Sequence, residues 1–191
     1  MINRVVTMQR VLGQRFYSEN KRVFLRKLKK FQSIGTNDLL PSECFDNRVV
    51  LVANTASKCG FTPQLGSMQK LYEQRRERGL TVLAVPSNDF GQQEPGEEDE
   101  VEKFYKNEYK VEFPITKKSK VIGPDAHPFF QALEEHYTSE VAPTWNFDKF
   151  IIDHTGDLRA VYPNDVDPLD PDVVELIDGL LDTLPQNKPQ K

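Results

Sequence analysis

The sequence predicts an α/β fold in which a mixed central sheet is flanked by helices. Two short apolar runs, residues 49–53 and 80–85, are bounded by polar residues, and each precedes a stretch with helical periodicity. Such runs are typical of parallel strands that are buried on both faces. Residues 149–153 and 158–162 are also strand-like, and they flank a turn that contains Gly156, which predicts an antiparallel hairpin. Parallel strands joined by helices and followed by a hairpin make a mixed sheet.

The other elements follow from periodicity and from residues that begin or end helices. Thr62 as an N-cap, followed by Pro63, predicts the start of a helix that Gly79 closes. For residues 49–53 a buried helical segment is the alternative to a strand. The remaining predicted elements are a small leading hairpin formed by residues 25–31 and 38–40 around Gly35, a loop over residues 86–96, and helices over residues 97–109, 128–137 and 172–184.

The composition is that of a globular chain with one domain. The protein has 191 residues, of which 38% are hydrophobic and 28% are charged, which suffices for one buried core and an extension. No apolar run approaches the roughly 20 residues that a transmembrane helix needs. Cys44 and Cys59 are the only cysteines, which excludes a disulfide framework and favours a reducing compartment. We predict a domain over residues 25–184 and a polar tail over residues 185–191.

Residues 1–24 form a basic extension that differs from the rest of the chain. Residues 1–30 contain nine Lys or Arg and one acid, although the whole chain has a net charge of −4. Arginines between apolar residues at the spacing of an amphipathic helix are typical of mitochondrial transit peptides, and Arg15-Phe16-Tyr17-Ser18 resembles a presequence cleavage site. We therefore predict a mitochondrial location. The alternatives are a solvated basic tail and an arm that docks on a membrane surface or a larger mitochondrial complex.

Cys59 is the candidate nucleophile because it lies between a predicted strand and the start of a predicted helix. Backbone N–H groups at a helix N-terminus stabilise an anion, and the thiolate is the reactive form of cysteine. Thr62 occupies the position of the second cysteine in a Cys-x-x-Cys motif, so the product of oxidation is expected to be a sulfenic acid. Taken alone, Cys59 is better explained as a buried, unreactive cysteine, which is the common fate of a lone cysteine.

Three long segments resemble the motifs of the glutathione peroxidase family. They are residues 54–62, which read NTASKCGFT, residues 86–95, which read PSNDFGQQEP, and residues 145–150, which read WNFDKF. Because the motifs are long and occur in order, the signal is far more specific than a lone short pattern. By this resemblance the chain is identified as a cysteine-containing member of the family. The resemblance implies a thioredoxin-like fold with an N-terminal extension.

The resemblance also implies a catalytic site that consists of Cys59, Gln93, Trp145 and Asn146. The side-chain amides and the indole offer N–H donors that stabilise a thiolate and polarise a peroxide. The alternatives are a core aromatic for Trp145 and turn formers for the two amides. The expected reaction partners are a peroxide and an external thiol reductant, either glutathione or a thioredoxin-type protein. We expect no bound cofactor, no metal and no nucleic acid, since His127, His136 and His154 lack metal-ligand spacing.

The chain departs from the family pattern in the groups that would renew the thiol. Many cysteine-containing members carry a resolving cysteine on the helix before the Phe113-Pro114 landmark, but residues 104–108 contain none. Val161 also stands where the family often has arginine. The stretch between Leu133 and Trp145 is short, as in the monomeric, phospholipid-hydroperoxide type, so a free chain is expected to be a monomer. These departures affect thiol binding more than the step with peroxide.

The sequence therefore leads to one principal function and two alternatives. The principal hypothesis is a thiol-dependent peroxidase that reduces hydrogen peroxide or lipid hydroperoxides through a Cys59 sulfenic acid. The first alternative is a weakly active or inactive family member that serves as a subunit of a larger mitochondrial assembly. The second is a redox sensor that passes oxidation from Cys59 to a partner thiol. The missing resolving cysteine, Val161 and the basic extension motivate the first alternative.

Overall fold

The computed structural model describes residues 6–7, 23–137 and 139–187. Strands and α-helices alternate through most of this part of the chain. The strands are β1 (Val6–Thr7), β2 (Val49–Thr55), β3 (Leu80–Pro86), β4 (Lys149–Ile152) and β5 (Leu158–Tyr162). The helices are α1 (Val23–Leu28), α2 (Gln64–Arg75), α3 (Glu98–Tyr109), α4 (Pro128–Tyr137) and α5 (Pro171–Asp182).

The strands form one mixed sheet in the order β1-β5-β4-β2-β3. β2 pairs with β3 in parallel and with β4 antiparallel, and β4 and β5 form the predicted hairpin. Every residue of β2 and β3 is buried, which explains why these strands read as continuous apolar runs rather than as alternating ones. The expected mixed central sheet is confirmed.

Helices cover both faces of the sheet, so the protein has two cores. On one face Leu51 and Val82 pack with residues of α2, α3 and α5, among them Met68, Tyr105 and Ile177. On the other face Val50, Val52 and Phe150 pack with α1 and α4 through Phe24, Phe129 and Phe130. Successive side chains of a strand point to opposite faces. Strands β2 to β5 therefore each supply side chains to both cores.

The predicted leading hairpin is only partly correct, because its first strand is mostly helical. Residues 23–28 form α1, where Phe24 and Leu28 are four residues apart and are both buried against the second core. The hairpin is reduced to a single bridge between Gln32 and Leu39, with Gly35 in the left-handed region at φ 73°. Periodicity over so short a segment did not separate a helix from a strand.

The first long helix begins and ends differently from the prediction. α2 begins at Gln64 with Pro63 at the N-cap, and Thr62 does not cap it. A 3₁₀ turn, Arg76–Arg78, follows α2 and leads to Gly79, which closes the segment as predicted at φ 109°. A Cβ atom at Gly79 would lie 2.6 Å from Leu184, so this turn needs glycine both for its conformation and for packing.

Most of the basic extension and the end of the tail lie outside the described residues. The predicted amphipathic helix, the cleavage sequence and residues 188–191 therefore stay predictions, although Val6–Thr7 form β1 and pair with Val161 and Ala160 of β5. The first part of the predicted polar tail is ordered: Pro185–Asn187 form a 3₁₀ turn, and Asn187 Nδ2 donates to the Arg78 carbonyl at 2.6 Å. Within the described part of the chain, no helix has the length and apolar character needed to cross a membrane.

Candidate active site

Cys59 lies in the loop that joins the carboxyl end of β2 to α2. It is nearly buried, with 9% of its surface exposed. Thr62 shapes this loop, because its hydroxyl accepts the Cys59 N–H at 3.0 Å and lies 2.8 Å from the Ala56 carbonyl oxygen. The threonine that replaces a second cysteine thus has a structural role, since it fixes the backbone on both sides of the thiol.

The Cys59 sulfur accepts a hydrogen bond from the Phe61 backbone N–H at 3.5 Å. That N–H belongs to the turn that leads into α2, whose N-cap is Pro63. The sulfur therefore lies close to the amino end of the helix and accepts a backbone N–H there. This contact supports Cys59 as the candidate nucleophile.

Gln93 comes from the loop between β3 and α3 and lies against the Cys59 loop. Its carbonyl accepts the Lys58 N–H at 3.0 Å, which joins the two loops one residue before the thiol. Gly91 and Gln92 both have positive φ, 61° and 51°, and these left-handed residues make the tight bend that places Gln93. A Cβ atom at Gly91 would lie 3.4 Å from the Gln93 side chain, so glycine lets that side chain fold close to its own backbone.

Trp145 and Asn146 lie on the turn before β4, which is bonded directly to the end of β2. Asn54 holds this turn twice: its Nδ2 donates to the Trp145 carbonyl at 2.8 Å, and its own carbonyl accepts the Phe147 N–H at 2.6 Å. Phe147 has φ 70°, which is strained for a residue with a Cβ atom. Asp148 closes the turn by accepting the Thr144 N–H at 2.7 Å.

The structure brings the two predicted amides together. Asn146 is fully buried, and its Nδ2 donates to Gln93 Oε1 at 2.9 Å and to the Phe90 carbonyl at 3.3 Å. Because the oxygen of the Gln93 amide is held by Asn146, its Nε2 donors face away from Asn146. The three sequence motifs are therefore joined by hydrogen bonds at the carboxyl ends of β2 and β3.

The expected hydrogen bonds to the sulfur differ from those in the structure. Among the described residues the Cys59 sulfur is bonded by Phe61, not by Gln93, Trp145 or Asn146. Trp145 is 37% exposed, with its ring centroid 5.8 Å from that of Phe90, so it is not a core aromatic. Buried amide donors pair with a nearby acceptor, and here the Asn146 donor pairs with the Gln93 oxygen. The roles predicted for these three side chains stay predictions.

A buried acid lies directly after Gln93. Glu94 is fully buried, and its carboxyl accepts a hydrogen bond from the Tyr105 hydroxyl at 2.9 Å. Burial raises the pKa of Glu94, while the hydrogen bond from Tyr105 and the charge of Lys118 oppose this rise. Since Gln93 is bonded to Lys58 of the Cys59 loop and Glu94 to Tyr105 of α3, this segment connects the thiol loop with α3.

Cys44, the other thiol, lies far from Cys59. It ends the 3₁₀ turn Ser42–Cys44 before β2, and its carbonyl accepts a hydrogen bond from Thr81 at the start of β3. β2 separates the two cysteines, and its seven residues span about 20 Å at about 3.3 Å per residue. Both cysteines are free. The absence of an internal resolving partner, expected from the sequence, is thus a consequence of topology.

Sequence reasoning missed several residues that hold the site. Asn54, Asp148 and Glu94 lie inside the recognised motifs, yet nothing in the sequence marked what they bind. Asn54 gave the clearest signal, because it is a polar residue at the end of an otherwise apolar buried run. His127 is half-buried in the segment before α4 and is stacked on Phe31, with ring centroids 3.6 Å apart. Burial lowers the pKa of His127 to about 4.

The described residues contain no cluster of His, Cys, Asp or Glu side chains that could hold a metal ion. The site instead offers one thiol, a backbone N–H to that thiol, and, on the loops bonded to Lys58 and Asn54, the hydrogen-bonded amides of Gln93 and Asn146 and the partly exposed Trp145. Nucleophilic attack by a thiolate on an oxygen atom needs donors that receive the negative charge developing on the leaving oxygen. The arrangement therefore fits reduction of an O–O bond by sulfur.

Comparison with known proteins agrees with this chemistry. The family model for glutathione peroxidase matches residues 28–134. A glutathione peroxidase homolog, BsaA of Bacillus subtilis, is 42% identical over 139 residues, which is 70% of this chain and 87% of BsaA. The hydroperoxy fatty acid reductase gpx1 of Synechocystis is 43% identical over 126 residues, 62% of this chain and 75% of the reductase.

Three further similarities extend over more of the chain. The glutathione peroxidase-like peroxiredoxin GPX5 of Chlamydomonas reinhardtii is 36% identical over 159 residues, 78% of this chain and 98% of GPX5. The crystal structure of Trgpx in its apo form superposes with a TM-score of 0.64 at 27% identity and covers 83% of this chain and 96% of Trgpx. A thiol-disulfide isomerase from Corynebacterium glutamicum has a TM-score of 0.57 at 18% identity, with coverage of 81% of this chain and 95% of the isomerase, and shows the fold alone.

These matches confirm the thioredoxin-like fold and the resemblance from which the site residues were predicted. They also confirm, at the level of the family, that the chain is an oxidoreductase that reduces peroxides at the expense of a thiol. The family model and the curated relatives together cover the segment that carries Cys59 and Gln93. The chain belongs to the glutathione peroxidase family.

Proposed function

We propose that the protein reduces hydrogen peroxide and lipid hydroperoxides through a sulfenic acid on Cys59, and that two molecules of an external thiol such as glutathione regenerate it in mitochondria. The observation that carries this proposal is the Cys59 sulfur at the start of α2, beside the hydrogen-bonded pair of Gln93 and Asn146. One thiol and several neutral donors are what a single-cysteine peroxidase needs.

The reaction is a two-electron transfer from sulfur to oxygen. The Cys59 thiolate attacks the outer oxygen of ROOH, the S–O bond forms as the O–O bond breaks, and the alkoxide takes a proton to leave as ROH. Cys59 is oxidised to the sulfenic acid while the peroxide is reduced. A first external thiol then displaces water and gives a mixed disulfide with Cys59. A second thiol attacks that disulfide, which releases an external disulfide and the Cys59 thiolate.

The surroundings of the thiol support lipid hydroperoxides as substrates beside hydrogen peroxide. Trp145 is 37% exposed and packs beside Phe90, and Phe61, next to the thiol loop, is partly exposed. These rings offer an apolar surface to an acyl chain. The described residues of the short connection from α4 to Trp145 form no further α-helix. One relative is named for reduction of hydroperoxy fatty acids.

The external thiol follows from the positions of the two cysteines. Cys44 and Cys59 lie at opposite ends of β2, and helix α3 has no cysteine, so the sulfenic acid has no internal thiol to condense with. Glutathione reaches a nearly buried sulfur more readily than a folded protein does, which favours it over a thioredoxin-type reductant. The mitochondrial location rests on the basic residues 1–24.

A single kinetic experiment tests the chemistry. Peroxide consumption is measured with hydrogen peroxide and with a fatty acid hydroperoxide, each with glutathione or thioredoxin as reductant, for the wild type and for Cys59→Ser. Sulfenic acid is trapped with dimedone and located by mass spectrometry. We expect dimedone on Cys59, turnover with glutathione for both peroxides, and loss of turnover in Cys59→Ser.

Specific results would contradict each part of the proposal. Equal peroxide consumption by the wild type and Cys59→Ser, or no dimedone adduct on Cys59, would rule out the peroxidase chemistry and favour the weakly active subunit. Faster turnover with thioredoxin than with glutathione would exclude the proposed reductant. For the location, a reporter fused to residues 1–24 is expected in the mitochondrial fraction, and a uniform distribution would exclude a targeting role.

A further inference from the structure

A fully buried lysine lies beside the site and has no assigned role. Lys149 is the first residue of β4, and its backbone pairs with Ala53 of β2 and Tyr162 of β5. Its ammonium group donates to the Phe147 carbonyl at 2.8 Å and to Gln64 Oε1 at 2.9 Å. Both acceptors are neutral, so the groups that bond the ammonium directly stabilise its charge through hydrogen bonds and not through an ion pair.

Packing and stability do not explain a lysine at this position. Burial lowers the pKa of Lys149 from 10.5 to about 8, although the carboxylates of Asp148, Asp167 and Asp165 oppose this change. A lowered pKa means that the folded protein disfavours the charged form. Apolar residues often replace buried charges without loss of stability. The charge therefore opposes folding, and a functional reason for it is expected.

The two acceptors belong to the two halves of the site. Gln64 is the first residue of α2, five positions after Cys59, and its Nε2 is held in turn by the Asn164 carbonyl at 2.6 Å. Phe147 directly follows Asn146. One ammonium group thus connects the start of the helix that follows the thiol loop with the turn that carries the candidate donors.

The Phe147 carbonyl is a position that needs to be held. Phe147 has φ 70°, and a non-glycine residue keeps such a conformation only where its surroundings fix it. Its N–H is bonded to Asn54 and its carbonyl to Lys149, so both sides of the residue are fixed. Loss of the Lys149 contact would let the peptide after Phe147 rotate and would move Asn146 and Trp145 relative to the sulfur.

We propose that Lys149 is a positioning residue for peroxide reduction, which holds the turn carrying Trp145 and Asn146 in register with the start of α2, the helix that directly follows the Cys59 loop. Lys149 does not touch the peroxide and takes no part in proton transfer. It acts through the Phe147 carbonyl and the Gln64 side chain. This role rests on the proposed function, because it concerns the step in which Cys59 attacks a peroxide.

The test compares two reactions of the same sulfur. Oxidation of Cys59 by hydrogen peroxide needs the neighbouring donors, whereas alkylation by iodoacetamide needs only an accessible thiolate. In Lys149→Met, which keeps the chain length and removes the donors, we expect oxidation to slow by about tenfold, since a displacement of about 1 Å can cost about 100-fold. Alkylation is expected to keep its wild-type rate. The ratio of the two rate constants is the readout.

Matched variants separate positioning from general loss of stability. Leu133→Ala makes a cavity in the other core, under α4, and is expected to lower the unfolding temperature while it leaves the ratio unchanged. Gln64→Met removes one of the two acceptors and is expected to lower the ratio less than Lys149→Met does. If Lys149→Met does not fold, the ratio of the two rate constants in Gln64→Met tests the proposal by itself.

The outcomes distinguish this inference from the function on which it rests. A wild-type protein whose Cys59 is not oxidised by peroxide would contradict the proposed function. A wild type that is oxidised normally, together with wild-type ratios in Lys149→Met and Gln64→Met, would overturn the role of Lys149 and leave the peroxidase proposal intact. A lower ratio in Leu133→Ala as well would assign the effect to stability and would also overturn that role.

Discussion

The two ends of β2 carry the two cysteines, and their surroundings differ in kind. At the amino end, Arg48 donates to the Thr81 hydroxyl and to the Leu80 and Arg76 carbonyls, each at 2.8 Å. The Thr81 hydroxyl in turn donates to the Cys44 carbonyl. Burial raises the pKa of the Cys44 thiol, which disfavours its thiolate. Polar groups at this end are partnered, and the thiol is kept neutral.

At the carboxyl end of β2, some buried polar atoms have no hydrogen-bond partner among the described residues. The Asn54 and Asn146 side chains use their N–H donors, but their buried Oδ1 atoms have no hydrogen-bond partner among the described residues. Nearby, Glu94 and Asp148 are buried acids whose pKa values are raised by burial. Unsatisfied buried groups reduce stability. The amino end of β2 thus lies in a network of satisfied hydrogen bonds. Its carboxyl end lies in a polar site whose unsatisfied groups lower the stability of the fold.

This difference agrees with a general property of α/β proteins, in which ligand sites form at the carboxyl ends of parallel strands. The difference between the two ends of β2 also identifies Cys59 as the candidate reactive cysteine, and it does so independently of the family motifs. The following predictions test the contrast, from the largest expected effect to the smallest.

Removal of the Asn146 amide is expected to have the largest effect at the carboxyl end. In Asn146→Ala the Gln93 amide loses the donor that orients it, and oxidation of Cys59 by hydrogen peroxide should slow by about 100-fold, as for loss of one preorganised donor. Stopped-flow measurement of the oxidation rate checks this. A rate within a factor of about two of the wild type would show that Asn146 is a turn former only.

Asn54 and Arg48 form a matched pair for the two ends of β2. Asn54→Ala leaves the Trp145 carbonyl without its donor, and Arg48→Met breaks three hydrogen bonds. Each change is expected to lower the free energy of unfolding by about 1–3 kcal/mol. Only Asn54→Ala should also slow Cys59 oxidation. Urea unfolding and the oxidation rate are measured on both variants, and a slower reaction in Arg48→Met would contradict the contrast.

The buried acid at the carboxyl end predicts a pH-dependent gain of stability in Glu94→Gln. Glutamine keeps an acceptor for Tyr105 and removes the buried charge. Because burial raises the folded-state pKa of Glu94, the wild type loses stability as pH rises from the unfolded value of 4.5 through the folded one. Thermal unfolding should show Glu94→Gln as the more stable protein at pH 7 and no longer so at pH 4. A constant difference across this range would exclude charge burial as its cause.

The smallest effect is expected for the other thiol. Because Cys44 is separated from Cys59 by the length of β2, Cys44→Ser should change the peroxidase rate by less than about twofold, as is usual for sites more than about 10 Å apart. Steady-state assays with glutathione test this. A loss of turnover in Cys44→Ser would mean that Cys44 does participate in regeneration, contrary to the topology.

The sequence predicts the frame of the molecule well, but not its long-range polar contacts. β2 and β3 were identifiable because both faces are buried and every residue is apolar or nearly so. α1 was not, because its six residues carry too few periods to exclude a strand. The family motifs named Gln93 and Asn146, but their bond spans 53 residues and could not be predicted from either segment alone.

The role of Lys149 illustrates the same limit. Its partner Gln64 is 85 residues away, and a lysine at the head of a short strand ordinarily indicates a solvated edge. Only the packing of α2 over the end of β2 reveals that this lysine is buried. The bond between Phe61 and the Cys59 sulfur escaped prediction for another reason, because the choice among nearby donors depends on small differences in distance and angle.

The separation of the two thiols by a whole strand also determines the fate of the oxidised protein. Without an internal thiol to condense with, the lifetime of the Cys59 sulfenic acid depends on how often an external thiol arrives. During that interval a second peroxide molecule can convert it to the sulfinic acid, a step whose known reversal is confined to 2-Cys peroxiredoxins. The ratio of peroxide to thiol in the compartment would then decide between repeated turnover and permanent inactivation.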